Sequence, residues 1–162
     1  KLKNINFQLI LGSLSFTVLA WLVMIIISFF MYGSYMLTGK GLLLLLNSFI
    51  FSLASVSIGF LVGNIVKSKN TMSVASNVIV LGTCFISGVF VEQSLLSKQV
   101  LKLASFTPNY WYVKANNGIV ALSGYSLESL SSIFLNMLVV MGFAVSILLV
   151  TLVIIKQKRL SN

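Results

Sequence analysis

GLLLLLNSFIFSLASVSIGFLVGNIV, residues 41–66, contains no charged side chain. As a helix rising 1.5 Å per residue it reaches about 39 Å, more than the roughly 30 Å of bilayer hydrocarbon. A strand is excluded because lipid offers no partner to an open sheet edge. Three more stretches outside it read the same way. The interval from Asn4 to Gly39 is charge-free, with its most apolar part at residues 9–31. Residues 71–91 form a third, more polar span, and residues 132–155 a fourth. None has a charge in its interior.

The composition of the whole chain agrees. Of 162 residues, 58% are apolar and 8% charged, with a mean hydropathy of +1.05. An ordinary soluble domain is about one quarter charged. A fold of ~150 residues still exposes roughly 30% of its unfolded area, so it could not hide this much apolar surface. The expected fold is all-α: residues 1–162 form a single polytopic membrane helix bundle with spans near 9–31, 42–66, 71–91 and 132–155. One proline and one cysteine exclude collagen-like and disulfide-stapled folds, and the apolar content excludes disorder.

The net charge of +9 comes from eleven bases, ten of them Lys, against Glu92 and Glu128. The bases lie at the edges of apolar runs, where anionic headgroups sit, so the lipid bilayer is the expected partner and nucleic acid is not. Lys1, Lys3, Lys67, Lys69, Lys156, Lys158 and Arg159 fall on one side of the four spans. Lys40, Lys98, Lys102 and Lys114 fall on the other, with both acids. The positive-inside rule then places both termini and the KSKN turn (67–70) in the cytoplasm of a cell with this as its plasma membrane. Tyr32, Tyr35, Tyr110, Trp111 and Tyr112 are expected at the outer interface as an aromatic belt. The opening run is too long for a signal peptide and has no small-residue cleavage site. Its Lys start points to further spans upstream.

With no His and two acids, the chain lacks the groups for metal, acid–base or triad chemistry. No catalytic, cofactor or metal site is expected. Proton-coupled transporters and voltage sensors need ionisable groups at membrane depth, and the spans hold none. In residues 41–66, Ser48, Ser52, Ser55, Gly59 and Gly63 share one helix face, a small-residue stripe suited to close helix packing. Asn77, Thr83 and Ser87 in the third span are candidates for lining a path or for interhelical hydrogen bonds. Asn47, Asn64 and Asn136 read as the same polar glue, and Cys84 as a small apolar filler. Between Glu92 and Glu128, Leu96, Val100 and Leu103 recur at helical spacing. This predicts an outer amphipathic helix over about 94–106, interfacial or re-entrant, ended by Pro108.

The order of these pieces resembles the late segment of ABC-2 type transporter permeases. The resemblance rests on Ser87-Gly88-Val89-Phe90, then the outer helix, then Pro108-Asn109-Tyr110-Trp111, and covers about residues 77–115. Departures are Glu92 where a proline often follows the SGvf segment, and Leu96-Ser97 where Leu-Pro is usual. The resemblance implies six spans per subunit, of which these would be the third to sixth. It also implies a second permease subunit (homo- or heterodimer) and a separate cytoplasmic ABC ATPase. ATP and Mg would be held by that ATPase, since no GxxxxGK[ST] occurs here. The ATPase-side contacts it implies are near Lys1 to Phe7; Lys1, Lys3, Lys67 and Lys69 are the candidates.

The expected function is that of an ABC-2 type permease subunit exporting a peptide, lipid-like or drug-like substrate. Lys-, Ile- and Asn-rich usage with a single Arg points to an AT-rich bacterial genome. Two rivals are a membrane immunity or accessory protein that sequesters a peptide, and a membrane enzyme in which Glu92 or Glu128 would be essential.

Overall fold

The computed structural model describes residues 2–66 and 68–160, with side chains for all of these except 2–7, 9, 10 and 159. Six α-helices follow one another: α1 (Leu2–Tyr32), α2 (Gly39–Ile65), α3 (Lys69–Ser87), α4 (Lys98–Ala104), α5 (Pro108–Ala121) and α6 (Leu127–Leu160). Short 3₁₀ turns lie at Gly33–Leu37 and Gln93–Leu95. The described residues contain no strand, and α1 with its 3₁₀ turn, α2, α3 and α6 are each long and apolar enough to cross a membrane.

Local chemistry sets the helix ends. The Thr38 hydroxyl accepts from the Gly41 amide at 3.2 Å and caps α2. Gly41 is required for close approach: a Cβ there would lie 2.5 Å from the carbonyl oxygens of Tyr35 and Met36. At the other end of the bundle, Lys158 of α6 donates to the carbonyl of Asn64 in α2. α3 stops at Ser87, four residues short of the span read from hydropathy, because Gly88 turns into the left-handed region (φ +98°) as its C-cap.

The core is the three-way contact of α2, α5 and α6. Ala115, Ile119 and Leu122 pack on Ile133 and Met137, while Ala54 packs on Val140 and Ala144 against Trp111 and Tyr112. α1 leans on this block through Trp21, whose indole N–H donates to Ser48 Oγ at 3.0 Å and whose ring meets Phe49 edge-on.

The outer connection departs from the amphipathic helix expected over 94–106. It breaks into the 3₁₀ turn at Gln93–Leu95, an extended Leu96–Ser97 and then α4, capped by the Ser97 hydroxyl. Pro108 does not end a helix but opens one. At the first position of α5 its missing N–H costs nothing and its fixed φ fits the helix, while Thr107 before it is extended.

α5 is a re-entrant helix. It runs antiparallel to α2; three contacts with α2 set its register and a fourth ties its start to α3. Lys40 Nζ donates to the Val120 carbonyl at 3.0 Å, Asn47 bonds Asn116, Phe51 stacks on Tyr112 at 4.3 Å, and Asn109 reaches Cys84 Sγ at 3.6 Å. From Lys40 to Phe51 is about 16 Å along α2, so the start of α5 lies beside the middle of that 27-residue helix. Tyr110, Trp111 and Tyr112 sit where α5 meets the outer end of α3 and the outer connection: the Tyr110 carbonyl accepts from Gln93 and the Trp111 indole donates to the Ser105 carbonyl. α5 is covered by α2 on one side and α6 on the other, a contact that aromatic composition alone does not reveal.

Candidate functional site: the re-entrant helix and its clefts

Two polar clusters hold α5 in place. Asn47, wholly buried, donates to the carbonyl of Tyr112 at 3.0 Å and to Asn116 Oδ1 at 2.9 Å. Both bonds use the one amide nitrogen; Asn47 Oδ1 is buried with no partner among the described residues. In an apolar interior each such bond contributes about 1 kcal/mol, and its loss strands the remaining polar atoms.

The second cluster joins the end of α3 to the start of α5. Gln93 Nε2 donates to the Ser87 carbonyl at 2.8 Å and to the Tyr110 carbonyl at 3.1 Å. Its Oε1 accepts from Asn117 at 3.4 Å. Gly88 makes room for it, since a Cβ there would lie 2.4 Å from Gln93 Cγ. Ser87 is fully buried and its hydroxyl has no partner among the described residues. Trp111 closes the turn from α4 by donating to the Ser105 carbonyl at 2.8 Å. The motif residues Ser87, Gly88, Pro108, Tyr110 and Trp111, far apart in sequence, are thus brought to one junction, with Gln93 as the bridge.

Clefts flank this block. A cavity of about 520 Å³ between α1, α2 and α5 is lined by Ser28, Tyr32, Tyr35, Ser48, Tyr112 and Asn116 among apolar neighbours. A groove of about 190 Å³ between α2 and α3 is lined by Ser55, Gly59, Ser76, Thr83, Cys84 and Asn109. Thr83 thus faces a groove, although its hydroxyl bonds back to the Ile79 carbonyl at 2.7 Å. Asn77 is exposed and outside that groove.

The small-residue stripe divides. Ser48 contacts Trp21 of α1, and Ser52 bonds its own helix at the Phe49 carbonyl. Ser55, Gly59 and Gly63 are exposed, and nothing lies within 4 Å of a Cβ placed on either glycine. Ser55 and Gly59 line the groove toward α3, and Gly59 and Gly63 a second cleft toward Phe16 and Thr17 of α1. Of the ATPase-side candidates, Lys1 and Lys67 lie outside the described residues, Lys3 is in the first turn of α1, and Lys69 opens α3 with an exposed side chain.

Lys114 lies on α5 between Tyr112 and Asn116, beside Val113, which borders Gly88 at the outer end of α3, and its exposed Nζ stands 5.1 Å from the Trp111 ring centroid and 5.8 Å from that of Tyr110. Gln93, Asn116 and Asn117 are site residues that the sequence reading did not single out; the only available signal was the seven-residue spacing of Asn109 and Asn116 behind a helix-opening proline.

Among the described residues no three His, Cys, Asp or Glu side chains converge as metal ligands. The arrangement offers hydroxyls, amides, apolar walls and one exposed ammonium. No curated protein and no solved structure matches the chain. A model of the ABC-2 type transporter family matches residues 2–121, which take in α1 through α5. The chain therefore belongs to the ABC-2 type transporter family, as a multi-pass membrane component of an ABC transporter.

Proposed function

We propose that this chain is part of a permease that exports an amphiphilic substrate, lipid-like, peptide or drug-like, across the plasma membrane. A second permease subunit completes the path, and a separate cytoplasmic ATPase that holds ATP and Mg supplies the energy. ABC-2 membrane domains in general work with such an ATPase. Both termini face the cytoplasm in this reading, because seven of the eleven bases gather at that end.

The observation that carries the proposal is the division of the bundle. α2, α5 and α6 form one packed block, whereas α1 and α3 contact it less extensively. Helices held more loosely can rock against a fixed block when an ATPase moves their cytoplasmic ends, opening and closing the flanking clefts. Ser55, Gly59 and Gly63 line clefts toward α3 and α1, where small residues let those helices close on α2.

The test is reconstitution of the full-length permease with the ATPase that co-purifies with it in mild detergent. ATP turnover that changes when the permease is present, with ATP-dependent movement of an amphiphilic substrate, is the expected result. A permease that purifies with no ATPase overturns the proposal and favours a sequestering role.

A further inference from the structure

The seam between α1 and α2 has two openings, one on either side of Trp21. Toward the end at residues 35–40 lies the cavity of about 520 Å³, bordered by Ser28 and Tyr32 of α1, Leu45 and Ser48 of α2, and Asn116 of α5. Toward Asn64 lies a cleft of about 460 Å³, bordered by Phe16 and Thr17 of α1 and by Gly59, Phe60 and Gly63 of α2. Both volumes fall in the range of small-molecule sites, ~300–1,000 Å³. Chain order fixes the arrangement. Thr17, Trp21 and Ser28, spaced by four and seven, share one face of α1. On α2, Ser48 and Phe49 precede Gly59 and Phe60 by about three turns. Trp21, seated on Ser48 and Phe49, therefore stands between the two openings.

The seat is specific. Trp21 Nε1 donates to Ser48 Oγ at 3.0 Å, the Ser48 hydroxyl donates in turn to the Leu45 carbonyl at 2.8 Å, and the indole meets Phe49 edge-on at 5.0 Å. Beneath it the space is left open, since nothing lies within 4 Å of a Cβ placed on Gly59 or Gly63. An indole that swings off its seat joins the two openings into one groove and bares the Ser48 acceptor to whatever takes its place.

The lining selects a ligand. Among the described residues no charged side chain borders either opening, and Lys40, whose partner Val120 borders the larger one, is committed to that carbonyl at 3.0 Å. A charge entering the seam would leave water with no counter-charge to meet it. Neutral polar groups do border it: Ser28, Tyr32 and Asn116 in the cavity, Thr17 and Asn64 in the cleft. Asn116 accepts from Asn47 through Oδ1, which leaves its Nδ2 to donate.

We propose that the α1–α2 seam binds an amphiphile with an uncharged, oxygen-rich headgroup, and that Trp21 is the partition between its two chambers. The inference rests on the export reading for its role and narrows the substrate class to neutral headgroups; binding and partition stand or fall separately.

Full-length protein with Cys84→Ala carries Ser28→Cys or Thr17→Cys in sealed membranes, oriented so that Ser97→Cys reacts with an impermeant thiol reagent in the bath. Without nucleotide, position 28 is expected to react and position 17 to stay protected. Trp21→Ala, with native helix content, is expected to abolish the protection of 17 and leave the rate at 28 unchanged. Trp21→Phe keeps a ring on Phe49 and keeps the protection. Submicellar octyl glucoside is expected to slow the reaction at 28, and octyl sulfate and octyltrimethylammonium to leave it unchanged. Reaction at 17 with Trp21 in place, or continued protection of 17 in Trp21→Ala, overturns the partition. Faster reaction at both positions in Trp21→Ala overturns it too, by showing that the indole only holds α1 on the block. Protection of 28 by a charged amphiphile, or by none of the three, overturns the neutral site. No ATP or ATPase is used, so failure of the export reading leaves these rates unaffected, and failure here leaves that reading intact.

Discussion

Asn47 of α2 and Asn116 of α5 meet side chain to side chain at 2.9 Å, with Asn47 wholly buried and also bonded to the Tyr112 carbonyl. This pair fixes the register of the re-entrant helix, because the apolar contacts around it can slide and a buried hydrogen bond cannot. Asn47→Leu is expected to lower the stability of the detergent-solubilised protein by about 1–3 kcal/mol, since it removes two bonds and strands Asn116. Thermal unfolding checks the size. Protease sensitivity near residues 105–121 checks that the loss falls on α5.

Gly88 combines a left-handed backbone with contact against Gln93. Gly88→Ala is expected to cost about 1–2 kcal/mol from the backbone alone, plus displacement of the Gln93 bridge. Gln93→Ala should cost less in the Gly88→Ala background than in the wild type, because the bridge is already broken there. A double-mutant cycle on unfolding midpoints measures that coupling; strict additivity would show that the two residues act independently.

Two glycines of α2 should behave in opposite ways. Gly41→Ala drives a Cβ into the carbonyls of Tyr35 and Met36 and is expected to destabilise by about 1–3 kcal/mol. Gly63→Ala meets open space and is expected to be neutral, or to stabilise the isolated subunit by up to ~1 kcal/mol through helix propensity. A larger Gly63→Leu change then separates stability from assembly. It should leave the monomer folded and weaken association with a second permease subunit, which cross-linking in membranes detects.

Topology is open to a direct check. Single cysteines at Lys69 and Ser97, both exposed, in a Cys84→Ala background should react oppositely with an impermeant thiol reagent on whole cells. Position 97 is expected to label and position 69 to stay protected. Labelling at 69 from outside reverses the orientation.

The four long helices were legible because lipid imposes one rule on every residue of a span, and α2 and α6 satisfy it with uninterrupted apolar runs. α5 was not legible. Its 14 residues are too short to read as a span, and it buries Asn109 and Ala115 as well as Val113 and Ile119. Two partners cover different sides, so no single apolar stripe emerges from the periodicity. Proline at position 108 was read as a stop because it followed an amphipathic stretch; the extended Thr107 before it makes it a start.

Whether Pro108–Ala121 enters the bundle is tested most directly by cross-linking. Cysteines at positions 47 and 116 of the full-length protein, with Cys84→Ala, are treated in native membranes with a short bifunctional thiol reagent. The geometry predicts rapid bridging of 47 to 116 and none of 47 to 124, a position in the exposed turn beyond α5. No bridge at 47–116, or equal bridging of both pairs, would place residues 108–121 outside the bundle and contradict the re-entrant helix.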